Sequence, residues 1–159
     1  MSAPRVGLGF DVHPLARERP LLLGGVRFDG EAGLAGHSDG DVVCHALGEA
    51  ILGGAALGDL GEHFPDEDAA TEGIAGSDLL ARCVALAAER GWRLDSCDLT
   101  VIAERPMLAP RREEMRTSLV ALLGIEKDGV SVKATRPEGL GLTGDGAACI
   151  AIAVLSTRR

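Results

Sequence analysis

GHSDGDVVCHALGEAILGGAALG (residues 36–58) is the stretch on which the fold turns. A polar, glycine-rich opening gives way to apolar residues at Val43, Ala46, Leu47, Ala50, Ile51 and Leu52, spaced for one helical face. Ser38 and Asp39 offer N-caps, so a helix is expected over residues 41–57, ending near Gly58. Toward the N-terminus, residues 6–12 and 20–28 read as a pair of strands separated by a charged turn at residues 16–19. Toward the C-terminus, a loop rich in glycine and acids covers residues 59–76, and Ser77 caps a second helix that runs to Arg90 before Gly91 ends it. A strand over 94–104, a turn over 106–110, a third helix over 111–123 and strands over 130–135 and 147–155 complete the order. Strands and helices alternate irregularly, which predicts a single α+β domain over residues 1–159 with helices on one face of a mixed β-sheet.

The bulk properties narrow the function. A formal charge of −8 opposes binding to a phosphate backbone, and no basic stretch offsets it, so no nucleic-acid partner is expected. No apolar run is long enough for a membrane span and the N-terminus has no signal-like segment, which predicts a soluble, cytoplasmic protein. Cys44, Cys83, Cys97 and Cys149 are widely spaced without a CxxC pair and sit mostly among apolar neighbours, as reduced, buried thiols do. With three Phe, one Trp and no Tyr, the core must be aliphatic and closely approached by backbone, and a core of that kind gains from oligomerisation.

All four histidines, His13, His37, His45 and His63, fall in the first 63 residues. In Asp11-Val12-His13 the period of two puts carboxylate and imidazole on one face of a strand, where they can share an ion. His45, in the first turns of the capped helix, can bring a third ligand from a rigid element, and His37 competes with it for that place. Asp plus two His is a zinc set with an open fourth position, suited to a Lewis acid acting on a substrate oxygen. Downstream, Thr135-Arg136-Pro137-Glu138 follows a strand and gathers a hydroxyl, a guanidinium and a carboxylate suited to phosphate and a second cation. The competing reading of each segment is ordinary: a solvated strand end, a helix cap and a charged turn.

FDVHPL, then GHSDGDVVCHALGEAILGGAALGDLGEHFPD, then KATRPEGLGLTGDG, in that order, resemble the 2-C-methyl-D-erythritol 2,4-cyclodiphosphate synthase family over essentially the whole chain. The resemblance implies a homotrimer with active sites at subunit boundaries, zinc on Asp11, His13 and His45, and magnesium or manganese on Glu138 beside the substrate diphosphate. It implies His37, Thr135 and Arg136 as catalytic positions. It also implies substrate contacts from Asp11, His13, His37, Ser38, Asp59, Gly61, Phe64, Asp66, Asp68, Ala103, Met107, Ala109, Ala134, Thr135, Arg136, Glu138 and Leu142. The substrate would be a CDP-linked methylerythritol phosphate, with CMP expelled and an isoprenoid precursor formed.

The chain departs from the family pattern at three places. Arg136 and Pro137 stand where hydroxyls are usual, Met107 replaces a nucleotide-pocket lysine, and Asp145 replaces an arginine that in some relatives binds prenyl diphosphate. A chain without that arginine is expected not to bind prenyl diphosphate. The altered loop leaves open a catalytically weakened trimeric relative that binds metal and nucleotide, and a different zinc phosphohydrolase is the remaining rival.

Overall fold

The computed structural model describes residues 3–141 and 143–157; Leu142, one of the expected substrate contacts, lies outside them. Strand β1 (Arg5–Ala16) pairs antiparallel with β7 (Gly146–Thr157), from Arg5 opposite Leu155 to Pro14 opposite Gly146. β7 pairs antiparallel with β5 (Trp92–Ala103), and β5 runs parallel to β6 (Val130–Thr135). With the two-residue β4 (Gly33–Leu34) beside β1, the sheet order is β4-β1-β7-β5-β6. The sheet is mixed, as the alternation of elements implied.

The strand expected over residues 20–28 is two short strands, β2 (Leu21–Leu23) and β3 (Val26–Phe28), forming a separate hairpin. Gly24 and Gly25 turn it with φ of 63° and 76°, the positive pair that a tight two-residue hairpin demands. The expected pairing of the first two strands is therefore corrected. β1 pairs instead with β7, whose alternating apolar residues offer a ladder of ten partners.

Three longer helices, α1 (Val42–Gly54), α3 (Gly76–Glu89) and α4 (Arg112–Leu123), bury Leu47, Ile51, Leu80, Met115 and Leu119 completely in the core. A one-turn helix, α2 (Leu60–His63), interrupts the loop expected over residues 59–76. The α1 cap is Asp41, not Ser38 or Asp39: it is extended (φ −68°, ψ 92°) and its carboxylate accepts Val43 N and Cys44 N. Ser77 does not cap α3 either; Ala75 precedes that helix, and Asp39 Oδ2 accepts Gly76 N at 2.8 Å from across the chain.

The helix face of β1 is bare of side chains at Gly7 and Gly9, and α1 lies directly on that bare backbone. A Cβ built at Gly9 would stand 1.8 Å from the Ala46 carbonyl oxygen, and one at Gly7 1.7 Å from that of Ala50. On the opposite sheet face, Leu8 (68% exposed), Phe10 (53%), Val6, Val12, Ile150 and Ile152 stand uncovered. The four cysteines are buried and free, and burial pushes the thiols up, that of Cys83 to about 12. Among the described residues, no helix is long and apolar enough to cross a membrane.

Candidate metal centre and its pocket

The alternation of β1 sends Asp11 and His13 toward α1, and the close seat of that helix brings His45 from its first turns onto them. Asp11 Oδ2 lies 2.8 Å from His13 Nε2 and 3.0 Å from His45 Nδ1, and the two ring nitrogens are 3.1 Å apart. Ligands at 2.0–2.1 Å from a tetrahedral zinc stand about 3.3 Å from one another, so this triangle fits such an ion with little movement. Among the described residues these three form the one such cluster. His37 is not part of it. Its Nε2 lies 3.6 Å from Asp66 Oδ2, with both side chains largely exposed, so the competition between His37 and His45 is decided by the seat of α1.

Electrostatics agree with that geometry. Burial alone would raise the Asp11 carboxyl, but hydrogen bonds and charge from His13 and His45 override it and hold Asp11 at about 2. Burial likewise opposes protonation of His45, yet the hydrogen bond to Asp11 and the charges of Asp11, Asp41 and Asp39 raise its pKa. An anionic site that favours a proton on His45 is one that a divalent cation can occupy in its place.

The other ring nitrogen of His45, Nε2, is 2.6 Å from Ser38 Oγ, a hydroxyl 5% exposed. Asp39 and Asp41 are occupied with backbone: Asp39 accepts Asp41 N and Gly76 N. Asp41 accepts Gly24 N at 2.8 Å and Gly25 N at 2.7 Å besides its helix cap, joining the β2–β3 turn to α1. Glu49, one turn beyond His45, was not singled out by its sequence context. Its carboxylate accepts Leu60 N at 3.1 Å, which fixes α2, and its i,i+4 spacing from His45 is the signal that places it on the same helix face.

Beside the centre opens a cavity of about 330 Å³. His13, His37, Ser38, His45, Gly61, Phe64 and Asp66 line it, with Leu60, Ile74 and Leu79 as its apolar wall. Asp59 and Asp68 lie outside the lining: Asp59 accepts Glu62 N at the start of α2, and Asp68 accepts Ala70 N. Thr71 and Glu72, unmarked in the sequence, complete the rim.

The remaining expected contacts gather elsewhere. His13 is opposite Ala147, which is opposite Ala103, and Thr135 is opposite Ile102. Thr135 thus sits at the same end of the sheet as His13 but three strands away, about 14 Å at the usual strand spacing. Ala103 ends β5, Ala134 and Thr135 end the edge strand β6 with Arg136 and Glu138 just beyond it, Met107 and Ala109 follow β5, and none lines the cavity. Glu138 has φ of 55°, uncommon for a residue with a side chain, and the next amide, Gly139 N, donates to Glu104 Oε1 at 2.9 Å.

A single α+β domain in which two imidazoles that line a cavity meet one carboxylate has the layout of an enzyme site able to hold a metal. The chain belongs to the YgbB family, whose sequence profile matches residues 4–158. It is 48% identical to a 2-C-methyl-D-erythritol 2,4-cyclodiphosphate synthase from Thermosynechococcus vestitus, over 99% of each chain. It is 54% identical over 98% of its length to a bifunctional enzyme IspD/IspF from Anaeromyxobacter dehalogenans, and spans 41% of that relative. A solved structure of 2C-methyl-D-erythritol-2,4-cyclodiphosphate synthase in a CDP-bound form superposes with a TM-score of 0.89 at 34% identity, covering 96% of this chain and all of that one.

Proposed function

We propose that this chain converts 4-diphosphocytidyl-2-C-methyl-D-erythritol 2-phosphate to 2-C-methyl-D-erythritol 2,4-cyclodiphosphate with release of CMP. The observation that carries the proposal is the Asp11–His13–His45 triangle, whose two imidazoles line the cavity, in a chain of this family. In the reaction an oxygen of the 2-phosphate attacks the β-phosphorus, a new P–O bond closes the ring, and the bond from that phosphorus to the bridging oxygen breaks, leaving with CMP. The attacking phosphate is already anionic, so positioning and charge neutralisation matter more than proton transfer.

Asp11, His13 and His45 would hold zinc or a similar divalent ion, which supplies a Lewis acid for a phosphoryl oxygen. His37 and Ser38 would meet the phosphates. Gly61, Phe64 and Asp66 would enclose the methylerythritol part, with Asp59 and Asp68 acting behind them through the backbone they hold. Ala103, Met107, Ala109, Ala134 and Thr135 would form the cytosine side. Thr135 and Arg136 would bind the diphosphate, and Glu138 would hold magnesium or manganese, which would supply positive charge to neutralise the phosphates.

The distance between the two groups within one chain supports a homotrimer in which each site takes its metal from one subunit and its nucleotide side from the next. The uncovered apolar face of β1 and β7 supports the same assembly. A cytoplasmic setting suits buried thiols and the substrate. ³¹P NMR of the purified protein with substrate, zinc and magnesium tests the activity. Cyclic diphosphate and CMP should appear, and should be absent with Asp11→Ala and His45→Ala; substrate that binds unchanged in the unaltered protein would overturn the proposal.

A further inference from the structure

We propose that Ser38 is a positioning residue of the metal centre and that Arg19 is the clamp that keeps it in place. The inference rests on the metal reading of Asp11, His13 and His45. A neutral imidazole carries one N–H and one lone pair. His45 Nδ1 faces Asp11 Oδ2 and His13 Nε2, so a ligand role requires the lone pair there and places the proton on Nε2. Nε2–H then donates to Ser38 Oγ at 2.6 Å. Ser38 is 5% exposed, so the bond is largely shielded from bulk solvent. Partners of this kind fix both the tautomer and the ring plane of a ligating histidine.

The hydroxyl is itself held by its own loop. The Arg19 guanidinium donates through Nη1 to the Gly36 carbonyl at 3.0 Å and through Nη2 to the Ser38 carbonyl, gripping the backbone on both sides of His37. Arg19 in turn is anchored to the end of β1: its N–H donates to Ala16 O at 3.1 Å, and its carbonyl accepts Gly33 N at 3.0 Å. The strand that carries Asp11 and His13 therefore also carries, through Arg19 and Ser38, the restraint on the third ligand. The loop packs on His13 as well, since a Cβ at Gly36 would stand 3.1 Å from His13 Cε1. With Nε2–H occupying one lone pair, the Ser38 O–H remains free to donate outward to a phosphate oxygen, which joins the two roles in one hydrogen-bonded line.

The test is metal affinity, read without substrate by competition with a chromophoric chelator, together with the visible absorption of the cobalt(II)-loaded protein. Ser38→Ala should weaken cobalt and zinc binding by about 10–100-fold and shift the cobalt bands. Ser38→Thr, which keeps the hydroxyl, should restore both, and Arg19→Ala should weaken binding in the same direction as Ser38→Ala. Ser118→Ala, which removes a buried-side hydroxyl bond to Gly24 O away from the centre, should leave affinity unchanged. A folded Ser38→Ala protein with unaltered affinity and spectrum overturns the role of Ser38. Unaltered affinity in Arg19→Ala overturns the clamp, and that variant decides the matter if Ser38→Ala does not fold. Failure of the unaltered protein to bind metal would instead overturn the metal reading itself.

Discussion

Gly9→Ala adds one methyl group where the strand meets α1, and its effect follows from two distances. The new Cβ would lie 1.8 Å from the Ala46 carbonyl oxygen and 2.7 Å from Ala50 N, so strand and helix must part by about 1.5 Å to reach ordinary contact. The obstacle is helix backbone, which has no rotamer to change. Overpacking of this kind costs about 1–3 kcal/mol, and the upper end applies here. For a domain of this size that is a fall in Tm of about 5–10 °C. Ala46 directly follows His45, so the displacement carries the third ligand with it. The Asp11–His45 and His13–His45 separations, now 3.0 and 3.1 Å, would open past the roughly 3.3 Å that a tetrahedral ion spans. Thermal unfolding, chelator competition and turnover measured side by side should therefore all decline. Gly53→Ala makes the same chemical change where the nearest atom is Leu8 O at 4.0 Å, and should raise stability by up to about 1 kcal/mol without touching metal affinity. A Gly9→Ala protein that melts with the unaltered chain and binds metal equally well would refute the account of how α1 is seated.

Asp41→Asn should cost about 3 kcal/mol or more in urea unfolding, because a fully buried carboxylate that accepts four backbone amides loses an acceptor and presents an NH₂ group to donors. In the metal-free protein, the contribution of Asp11 should be complete above its ordinary 3.8 and lost as pH falls toward about 2. That of His45, whose pKa is raised, should be present below 6.5 and lost as pH rises past its folded value. Unfolding midpoints against pH in Asp11→Asn and the unaltered chain would show the acid limb. Because metal must displace the proton on His45, affinity in a chelator titration should rise with pH through that same raised value, with proton release on binding. Phe10→Asp, on the uncovered sheet face, should yield monomers in sedimentation and abolish turnover while leaving metal affinity intact, since its side chain points away from Asp11 and His13.

Much of the centre is legible in residues 11–13 and 45, because strand alternation alone aligns Asp11 with His13 and helical spacing puts His45 on a rigid element. The choice between His37 and His45 is not legible, since it depends on how closely α1 lies on β1. The physical signal for that approach is present in Gly7 and Gly9: glycine inside a strand marks a place where another backbone comes close. Capping misleads for a related reason. Ser38, Asp39 and Asp41 all have side chains able to cap α1, and the β2–β3 turn, remote in sequence, selects Asp41 by supplying two further donors. The hairpin over residues 20–28 was available from its Gly-Gly pair. The spatial separation of Thr135–Glu138 from the cavity was not, because it arises from strand order, and order in a sheet is fixed by long-range pairing.

Cys149 lies opposite Asp11 on the neighbouring strand, yet its thiol takes no part in the donor triangle. Burial, and after it the charges of Asp41 and Asp11, push that thiol up and keep it protonated, so it is a poor competitor for a cation. The donor set therefore stays nitrogen and oxygen, of borderline softness, open to several first-row divalent metals and unattractive to copper(I). The same seclusion shields sulfur from peroxide: the donor triangle contains no thiol that oxidation would turn into a sulfinate, and durability under oxidative stress would fall to any ion bound there.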